Sequence, residues 1–251
     1  MELKDFFGAH PKIALAFSGG VDSAYLLYAA QRWAEDVGLY YVKSPFQPEF
    51  ELRDARRLAE ELGAKMKVLE LDVLCDSMIS SNPSNRCYHC KKRIMSAVYA
   101  AAKADGYDVI IDGTNASDDI NDRPGFRALE EQGVLSPLRL CGITKAEVRS
   151  LSREAGLFTW DKPAYACLAT RIPTGEPISP EKLRAVEQAE EALFAMGFTD
   201  FRVRMRGSSA LLQFLPQQQK AAGERFEDIK AKLSALFDSV EIDPAGREKS
   251  Q

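Results

Sequence analysis

The stretch that most constrains the fold is KIALAFSGGVDS, which spans residues 12–23. Residues 13–17 form a short, almost continuous apolar run, typical of a strand that is buried on both faces of a parallel sheet. Residues 18–20 interrupt this run, and Asp22 and Ser23 then open an apolar-periodic segment that predicts a helix beginning at a capping residue. This order predicts an anion site, because glycines let backbone amides approach a ligand and the helix dipole favours negative charge.

The loop differs from two common phosphate-binding loops. A Walker A loop needs a lysine before its last Ser or Thr, and the fingerprint G-x-G-x-x-G needs a different glycine spacing. The sequence SGGVDS instead resembles the pyrophosphate loop of ATP pyrophosphatases. This resemblance implies cleavage of ATP between its α- and β-phosphates, with transfer of AMP to an acceptor oxygen. It assigns a catalytic role to Asp22, and it assigns ATP binding to Ser18, Gly19, Gly20, Asp22 and Ser23. The alternative is a glycine turn without a ligand.

Composition and charge set the class of protein. The chain has 251 residues, of which 45% are hydrophobic and 28% charged, as in folded globular proteins of one large domain or a domain plus a smaller one. No apolar run approaches the roughly 18 residues of a membrane helix, and the first ten residues contain no signal-peptide core. A cytoplasmic location without a membrane partner is therefore expected. A net charge of −4 gives nucleic-acid binding no support.

Strand and helix patterns alternate in the first part of the chain and predict an α/β fold. We expect a Rossmann-like parallel sheet with helices on both faces, followed by a small C-terminal α+β module. Predicted strands cover residues 13–17, 37–42, 66–71, 109–112, 201–206 and 210–215. Predicted helices cover residues 22–34, 49–62, 87–104, 145–155, 181–196 and 220–237. The expected domains are an ATP-binding domain (1–160), an irregular active-site loop (161–180) and a substrate-binding or oligomerisation module (181–251).

The ligand of such a sheet binds beyond the carboxyl ends of its strands. Residues 18–23 and residues 113–124 each follow a predicted strand, so the two segments should share one cleft. This places Gly113 and Thr114 at the ATP site.

The second of these segments continues into an acidic and basic stretch. Carboxylates near a triphosphate commonly hold Mg²⁺, and Asp122 and Arg123 are assigned to the substrate. Arg123 and Arg127 have the forked shape that clamps phosphate or carboxylate. The alternative is a solvated, Asp-rich turn that caps a helix.

An odd number of cysteines without an export signal favours metal binding or redox chemistry over disulfides. Cys87 and Cys90 lie at the start of a predicted helix, where the dipole lowers thiol pKa values. Three interpretations remain open: a thioredoxin-like redox pair, half of a zinc site, or an iron–sulfur site completed by Cys167. The spacing favours the third. Cys75 and Cys141 have no companion and are expected to be separate buried cysteines.

Three arginines alternate along a predicted strand at positions 202, 204 and 206. Alternation puts them on one face, which is either a solvated surface or a binding site for a phosphorylated small molecule. Arg171, four residues after Cys167, is another candidate anion ligand.

Taken together, the segments SGGVDS, NRCYHCK, DGTNASDDINDRPG, GVLSPL, KPAYACLATRIPTG and FRVR resemble the LarE family of ATP-dependent sulfur transferases. The family has an adenine nucleotide alpha hydrolase-like fold. It makes pyridinium-3,5-bisthiocarboxylic acid mononucleotide, the precursor of the nickel-pincer cofactor of lactate racemase. The resemblance implies that ATP adenylates a substrate carboxylate, and that a sulfur species then displaces AMP to give a thiocarboxylate.

The family has two sulfur sources. In one version, a cysteine in the position of Cys167 gives up its own sulfur. In the other, that cysteine and a Cys-x-x-Cys pair hold a [4Fe–4S] cluster that carries an extra sulfide. This chain has all three thiols, so the resemblance implies the cluster type, with Cys87, Cys90 and Cys167 as iron ligands and Cys167 as catalytic.

The resemblance also names the other ligands and partners. It assigns the phosphate of a small-molecule mononucleotide to Arg202 and Arg204, with Glu190 close to it. ATP, Mg²⁺ and the cluster are the implied cofactors. The sulfide donor stays unassigned, and a homo-oligomer is expected.

Three other functions share parts of this pattern. A tRNA thiolase of the same superfamily also combines the loop with three cluster cysteines, but it needs a basic surface for the phosphate backbone. An amide ligase of the NAD or GMP synthetase type leaves the cysteines unexplained. A non-enzymatic ATP sensor leaves both the cysteines and the acidic segment without a role.

Overall fold

The computed structural model describes residues 1–119 and 124–247. It divides into two compact units, each considered by itself. Unit 1 comprises Met1–Val73 and Asn85–Lys162, and unit 2 comprises Leu74–Ser84 and Pro163–Gln251.

The elements are numbered along the chain. The strands are β1 (Lys12–Phe17), β2 (Asp36–Lys43), β3 (Met66–Glu70), β4 (Ile110–Ile111), β5 (Arg202–Arg206), β6 (Ser209–Gln213) and β7 (Ser239–Ile242). The helices are α1 (Leu3–Ala9), α2 (Val21–Trp33), α3 (Glu49–Glu61), α4 (Ser77–Ser80), α5 (Arg86–Ala104), α6 (Pro124–Glu131), α7 (Pro137–Leu140), α8 (Lys145–Glu154), α9 (Pro180–Ala195), α10 (Pro216–Glu224) and α11 (Phe226–Leu233). Two short 3₁₀ turns cover Phe158–Asp161 and Leu168–Arg171.

Unit 1 is built on a four-stranded parallel sheet in the order β3-β2-β1-β4. Its apolar side chains form two clusters, one on each face. Ile13 and Leu15 of β1 belong to the cluster shared with α1, α2, α3 and α8, whereas Ala14 belongs to the cluster shared with α5 and α6. Successive apolar residues of β1 therefore pack alternately into the two clusters. The predicted α/β fold with a parallel sheet is confirmed.

Unit 2 contains a second, smaller sheet in the order β5-β6-β7. Strands β5 and β6 are antiparallel, as expected for neighbours joined by a tight turn at Gly207, and β6 and β7 are parallel. Helix α9 packs its buried residues Leu183, Val186 and Leu193 inward. The predicted small C-terminal α+β module is therefore also confirmed.

Two local predictions are wrong. Helix α2 does not begin at a capping Asp22 or Ser23: its N-cap is Gly20, and Val21 is its first residue. The predicted single helix over residues 220–237 is two helices, α10 and α11, separated at Arg225, whose backbone leaves the helical region. Gly223 weakens the last turn of α10, because glycine is a poor helix former.

The sequence patterns predicted none of the short elements α1, α4, α6, α7 and β7. Helix α1 is only seven residues long, and strand β7 only four, so neither develops a clear periodicity. None of the helices in the described ranges is long and apolar enough to cross a membrane.

Substitution of Leu15 by Ala should destabilise the chain strongly. Leu15 is 0% exposed at the centre of β1, and truncation of such a leucine costs about 2–5 kcal/mol. Leu140→Ala is the matched control: Leu140 is 53% exposed, and its truncation should cost within about 0.5 kcal/mol. Urea unfolding of both variants and the wild type measures the difference. Equal free energies of unfolding for the two variants would contradict the assignment of β1 to the core.

Candidate active site

The glycine loop of unit 1 joins β1 directly to α2. Gly19 has a φ of +74°, and a Cβ at this position would lie 3.0 Å from the Cβ of Ala55 on α3. Glycine is therefore required at position 19 for two reasons: the left-handed backbone and the close packing against α3. The N-cap residue, Gly20, has no side chain that could accept from the first amides of α2, so these amides remain suited to an anion.

Two serine hydroxyls brace this loop. The Oγ atoms of Ser18 and Ser23 lie 3.0 Å apart, and the hydroxyl of Ser23 donates to the carbonyl of Gly20 at 3.1 Å. The backbone N–H of Ser18 donates to Ser23 Oγ at 3.3 Å. Ser23 is buried, so its place in the sequence motif is explained by the shape of the loop.

The segment after β4 lies against the start of α2. A Cβ on Gly113 would be 2.9 Å from the backbone nitrogen of Ser23, so only glycine allows the two segments to approach this closely. Thr114 donates through Oγ1 to Asp112 Oδ2 at 2.7 Å, and buried Asp112 also accepts from Ser136 Oγ at 2.7 Å. The structure therefore brings residues 18–23 and 113–115 together.

Asp22 is held by two residues from elsewhere in the sequence. Lys145 Nζ lies 2.5 Å from Asp22 Oδ2, and Asn115 Nδ2 donates to Asp22 Oδ1 at 3.2 Å. Burial raises the pKa of the Asp22 carboxyl, and the charge of Asp118 adds to this, whereas Lys145 lowers it. Lys145 and Asp22 thus form a largely buried ion pair at the predicted ATP loop.

Sequence reasoning missed the contact of Lys145 with Asp22. The residue is the first of α8, whose start is fixed by a capping box between Thr144 and Glu147. Its own backbone N–H donates to Ser117 Oγ at 3.0 Å. The capping box indicates the start of α8 in the sequence. The pairing of Lys145 with Asp22 joins residues 123 positions apart, and no local pattern indicates it.

The acidic segment after Asn115 forms an internally bonded turn. Asn115 N–H donates to Asp118 Oδ2 at 3.0 Å, and Ser117 N–H donates to Asn115 Oδ1 at 2.8 Å. Two assigned residues, Asp122 and Arg123, lie outside the described residues. Arg127 lies 3.3 Å from Glu131 in an exposed ion pair.

The Cys-x-x-Cys pair occupies the first turns of α5. Cys87 is exposed and Cys90 partly buried, and Arg86 donates to Cys87 Sγ at 3.7 Å. Both cysteines belong to unit 1, whereas Cys167 belongs to unit 2. Across residues 1–119 and 124–247, no group of three or more His, Cys, Asp and Glu side chains is arranged to hold a metal ion.

Two cysteines lie apart from this pair. Cys75 is exposed in a turn of unit 2, so the expectation that it is buried is wrong. Cys141 caps the C-terminus of α7, where burial raises the pKa of its thiol.

Cys167 caps a 3₁₀ turn in unit 2. Its carbonyl accepts from the N–H of Thr170 at 3.0 Å and from Thr170 Oγ1 at 2.8 Å. Arg171 ends the turn and is only 1% exposed. Its guanidinium forms a bidentate ion pair with Glu190 of α9, with Nε–Oε1 at 2.8 Å and Nη2–Oε2 at 3.1 Å.

The arginines of β5 differ in their environments. Arg202 is only 8% exposed and donates to the carbonyls of Phe201 at 2.7 Å and Ala164 at 2.8 Å. Arg204 is more exposed and donates to Gln213 Oε1 and to the carbonyl of Thr170, the latter at 2.9 Å. Arg202 and Arg204 therefore both contact the segment that carries Cys167.

Several guanidinium groups lie close together at this place. Burial, together with the neighbouring charges of Arg171 and Arg247, lowers the pKa of Arg202 to about 10. The pKa of Arg204 is lowered by the same causes. Such a concentration of guanidinium groups favours an anion, because a negative ligand would offset the mutual repulsion.

Comparison with known proteins identifies relatives over most of the chain. An uncharacterised protein of Synechocystis sp. is 38% identical over 218 residues, which cover 86% of this chain and 81% of the relative. The pyridinium-3,5-bisthiocarboxylic acid mononucleotide synthase of Lactiplantibacillus plantarum is 32% identical over 239 residues, which cover 94% of this chain and 86% of that enzyme. No protein-family model matches the chain.

A more distant relative extends the comparison. A tRNA-specific 2-thiouridylase of Clostridium botulinum is 27% identical over 182 residues, 60% of this chain and 52% of the relative. This similarity to an enzyme of a different kind indicates the broader pyrophosphate-loop superfamily. Since the synthase matches at this identity over nearly the whole length, the chain belongs to the LarE family of ATP-dependent sulfur transferases.

Proposed function

We propose that this chain converts a carboxylate of a pyridinium mononucleotide into a thiocarboxylate for the nickel-pincer cofactor. A carboxylate oxygen attacks the α-phosphorus of ATP, and pyrophosphate leaves with the electrons of the broken P–O bond. A sulfur nucleophile then attacks the carbonyl carbon of the acyl-adenylate and AMP leaves. The observation that carries the proposal is the Asp22–Lys145 ion pair beside a glycine loop that contains no lysine of its own.

In the ATP site, we assign the loop amides and Lys145 to the phosphates. Ser18, Gly19 and Gly20 shape the loop, and the start of α2 presents its amides. Lys145 supplies the positive charge that a Walker A lysine would supply. The carboxylates of Asp22 and Asp118 lie close enough to influence each other, and they are the ligands that Mg²⁺ would use together with phosphate oxygens.

For the sulfur site, we propose that Cys87, Cys90 and Cys167 hold a [4Fe–4S] cluster. Cys87 and Cys90 lie one helical turn apart, which suits two ligands of one metal site. These two thiols do not make a three-ligand site by themselves, and Cys167 belongs to unit 2. When bound, the cluster would supply the sulfide that replaces AMP.

For the substrate, we propose that Arg202 and Arg204 bind the phosphate monoester. Both contact the Cys167 segment, through the carbonyls of Ala164 and Thr170. The charges of Arg171 and Arg247 help to lower the pKa values of both arginines, and a phosphate would offset this repulsion. The cytoplasmic location and the homo-oligomer stay predictions.

The tRNA thiolase is the second candidate, favoured by the similarity to the thiouridylase. That enzyme class needs phosphate contacts spread along a nucleic-acid backbone. The net charge of −4 and the shorter match make the mononucleotide substrate the better proposal.

Replacing Lys145 by Ala should weaken ATP binding and leave AMP binding almost unchanged. A charge-assisted hydrogen bond to the outer phosphates contributes about 1.5–3 kcal/mol, roughly ten- to a hundredfold in affinity. Isothermal titration with ATP and with AMP measures both affinities. Lys65→Ala is the control, because Lys65 is an exposed lysine of the same unit. Equal losses for ATP and AMP would contradict a role at the outer phosphates.

The three thiols should act as a unit in iron binding. Protein reconstituted with iron and sulfide under anaerobic conditions should show broad visible absorption. Replacement of Cys87, Cys90 or Cys167 by Ala should remove it, whereas Cys75→Ala and Cys141→Ala should not. If Cys75→Ala abolishes the absorption and Cys87→Ala retains it, the ligand assignment is wrong.

Arg204→Lys should weaken binding of a carboxylated pyridinium mononucleotide by roughly ten- to a hundredfold, because lysine keeps the charge but loses the forked geometry. ATP binding should hardly change. Titration of the wild type and the variant with nicotinic acid mononucleotide and with ATP measures this selectivity.

The same titrations with bulk tRNA separate the two candidate functions. Steeply salt-dependent tRNA binding without mononucleotide binding would favour the thiolase. Formation of ADP and inorganic phosphate, in place of AMP and pyrophosphate, would contradict the adenylation step itself.

A further inference from the structure

One buried carboxylate in unit 2 joins three separate parts of the chain. Glu190 is 1% exposed on α9. Its Oε1 accepts from Arg171 Nε at 2.8 Å and from the backbone N–H of Val203 at 3.0 Å. Its Oε2 accepts from Arg171 Nη2 at 3.1 Å and from the hydroxyl of Tyr165. Both carboxylate oxygens are therefore used within the protein.

The first part that Glu190 reaches is the turn of Cys167. Arg171 Nη1 donates to the carbonyl of Ala166 and to Thr170 Oγ1, each at 2.8 Å. Thr170 Oγ1 in turn donates to the carbonyl of Cys167 at 2.8 Å. The ion pair with Glu190 orients the guanidinium, and the guanidinium holds the backbone on both sides of Cys167.

The second part is Tyr165, two residues before Cys167. Two guanidinium groups lie near its ring, with Arg171 at 4.5 Å and Arg202 at 5.3 Å from the ring centroid. The Tyr165 hydroxyl donates to Glu190 Oε2.

The third part is strand β5. Val203, whose N–H donates to Glu190, lies between Arg202 and Arg204. This hydrogen bond to the backbone of Val203 fixes the part of the strand from which the side chains of Arg202 and Arg204 extend. Glu190 thus contacts the cysteine turn and the arginine strand at the same time.

Stability alone is a poor explanation for this arrangement. Replacing a buried ion pair by apolar side chains of similar volume is often neutral or stabilising, whereas removing one partner is destabilising. Without the hydrogen bonds to Glu190, apolar contacts alone would not orient the Arg171 guanidinium. The hydrogen-bonded pair, in contrast, sets the orientation of every group that it touches.

We propose that Glu190 is a positioning residue, which holds the Cys167 turn and the arginines of β5 in one fixed geometry, and is not itself a ligand of the substrate. The spacing between Cys167 and the two arginines then selects substrates that carry a phosphate monoester at a set distance from the reacting carboxyl group. This differs from the expectation that Glu190 lies next to the substrate phosphate. The identity of that substrate rests on the proposed function.

Glu190→Gln tests the proposal, with Glu191→Gln as its control, because Glu191 is the next residue of α9 and is exposed. One measurement is the affinity for nicotinic acid mononucleotide. The other is the rate at which iodoacetamide labels Cys167, followed by peptide mass spectrometry with exposed Cys75 as reference. We expect about tenfold weaker binding and roughly threefold faster labelling, because a loosened turn exposes the thiol.

Each single-readout result would overturn the proposal. Weaker binding with unchanged labelling would mean that Glu190 contacts the substrate. Faster labelling with unchanged binding would mean that it does not position the arginines. No change in either would remove the role altogether.

A double variant separates positioning from folding. Arg171→Met together with Glu190→Leu replaces the ion pair by apolar side chains, so that neither buried charge is left unpaired, and a cooperative thermal unfolding transition shows that the variant is folded. It should still label faster and bind more weakly. Wild-type labelling and binding in this variant would overturn the proposal. If the wild type fails to bind the mononucleotide, the proposed function fails, but the labelling of Cys167 still tests the positioning role.

Discussion

The burial of β1 on both faces determines where the candidate ATP site of unit 1 can lie. The strand is paired on both edges, with β2 and β4, and its side chains alternate between two apolar clusters. The backbone at its carboxyl end is the first point where the chain leaves the sheet. Since α2 starts at once and covers one face of the sheet, the amides of its first turn and the glycine loop face the same place. The close contact of Gly113 with Ser23 then brings the end of β4 to it.

Each unit contains a carboxylate that a distant cation neutralises beside the candidate site. In unit 1, Asp22 pairs with Lys145, and in unit 2, Glu190 pairs with Arg171. A charge taken out of water is costly unless it is paired and hydrogen-bonded. The two pairs differ in accessibility: Asp22 and Lys145 keep about a fifth of their side-chain surface exposed, whereas Arg171 and Glu190 keep almost none. The first pair is therefore accessible to a ligand, whereas the second is enclosed within unit 2.

The arginines of unit 2 show how one sequence pattern yields different surroundings. Alternation along β5 places Arg202 and Arg204 on one face, as in the sequence analysis. Only the structure buries Arg202 against Tyr165 and leaves Arg204 more exposed. Tyr165 lies in a segment that was predicted to be irregular. Turns held by side-chain contacts have no periodicity, so the sequence pattern did not indicate the contact of Tyr165 with Arg202.

The sequence by itself determined the strands and helices of the parallel sheet, the glycine loop and the family. Apolar periodicity and turn residues act over a few neighbours, and these local preferences agreed with the fold from β1 to α5, apart from the short α4. Where local preference was weak, as at Gly223 and in the short α1 and β7, prediction failed. Only the tertiary structure decided that Lys145 meets Asp22 and that Glu190 joins Arg171 to Val203. The physical reason is that the partner of a buried charge depends on which distant segments packing brings together, and no pattern of neighbouring residues encodes that choice.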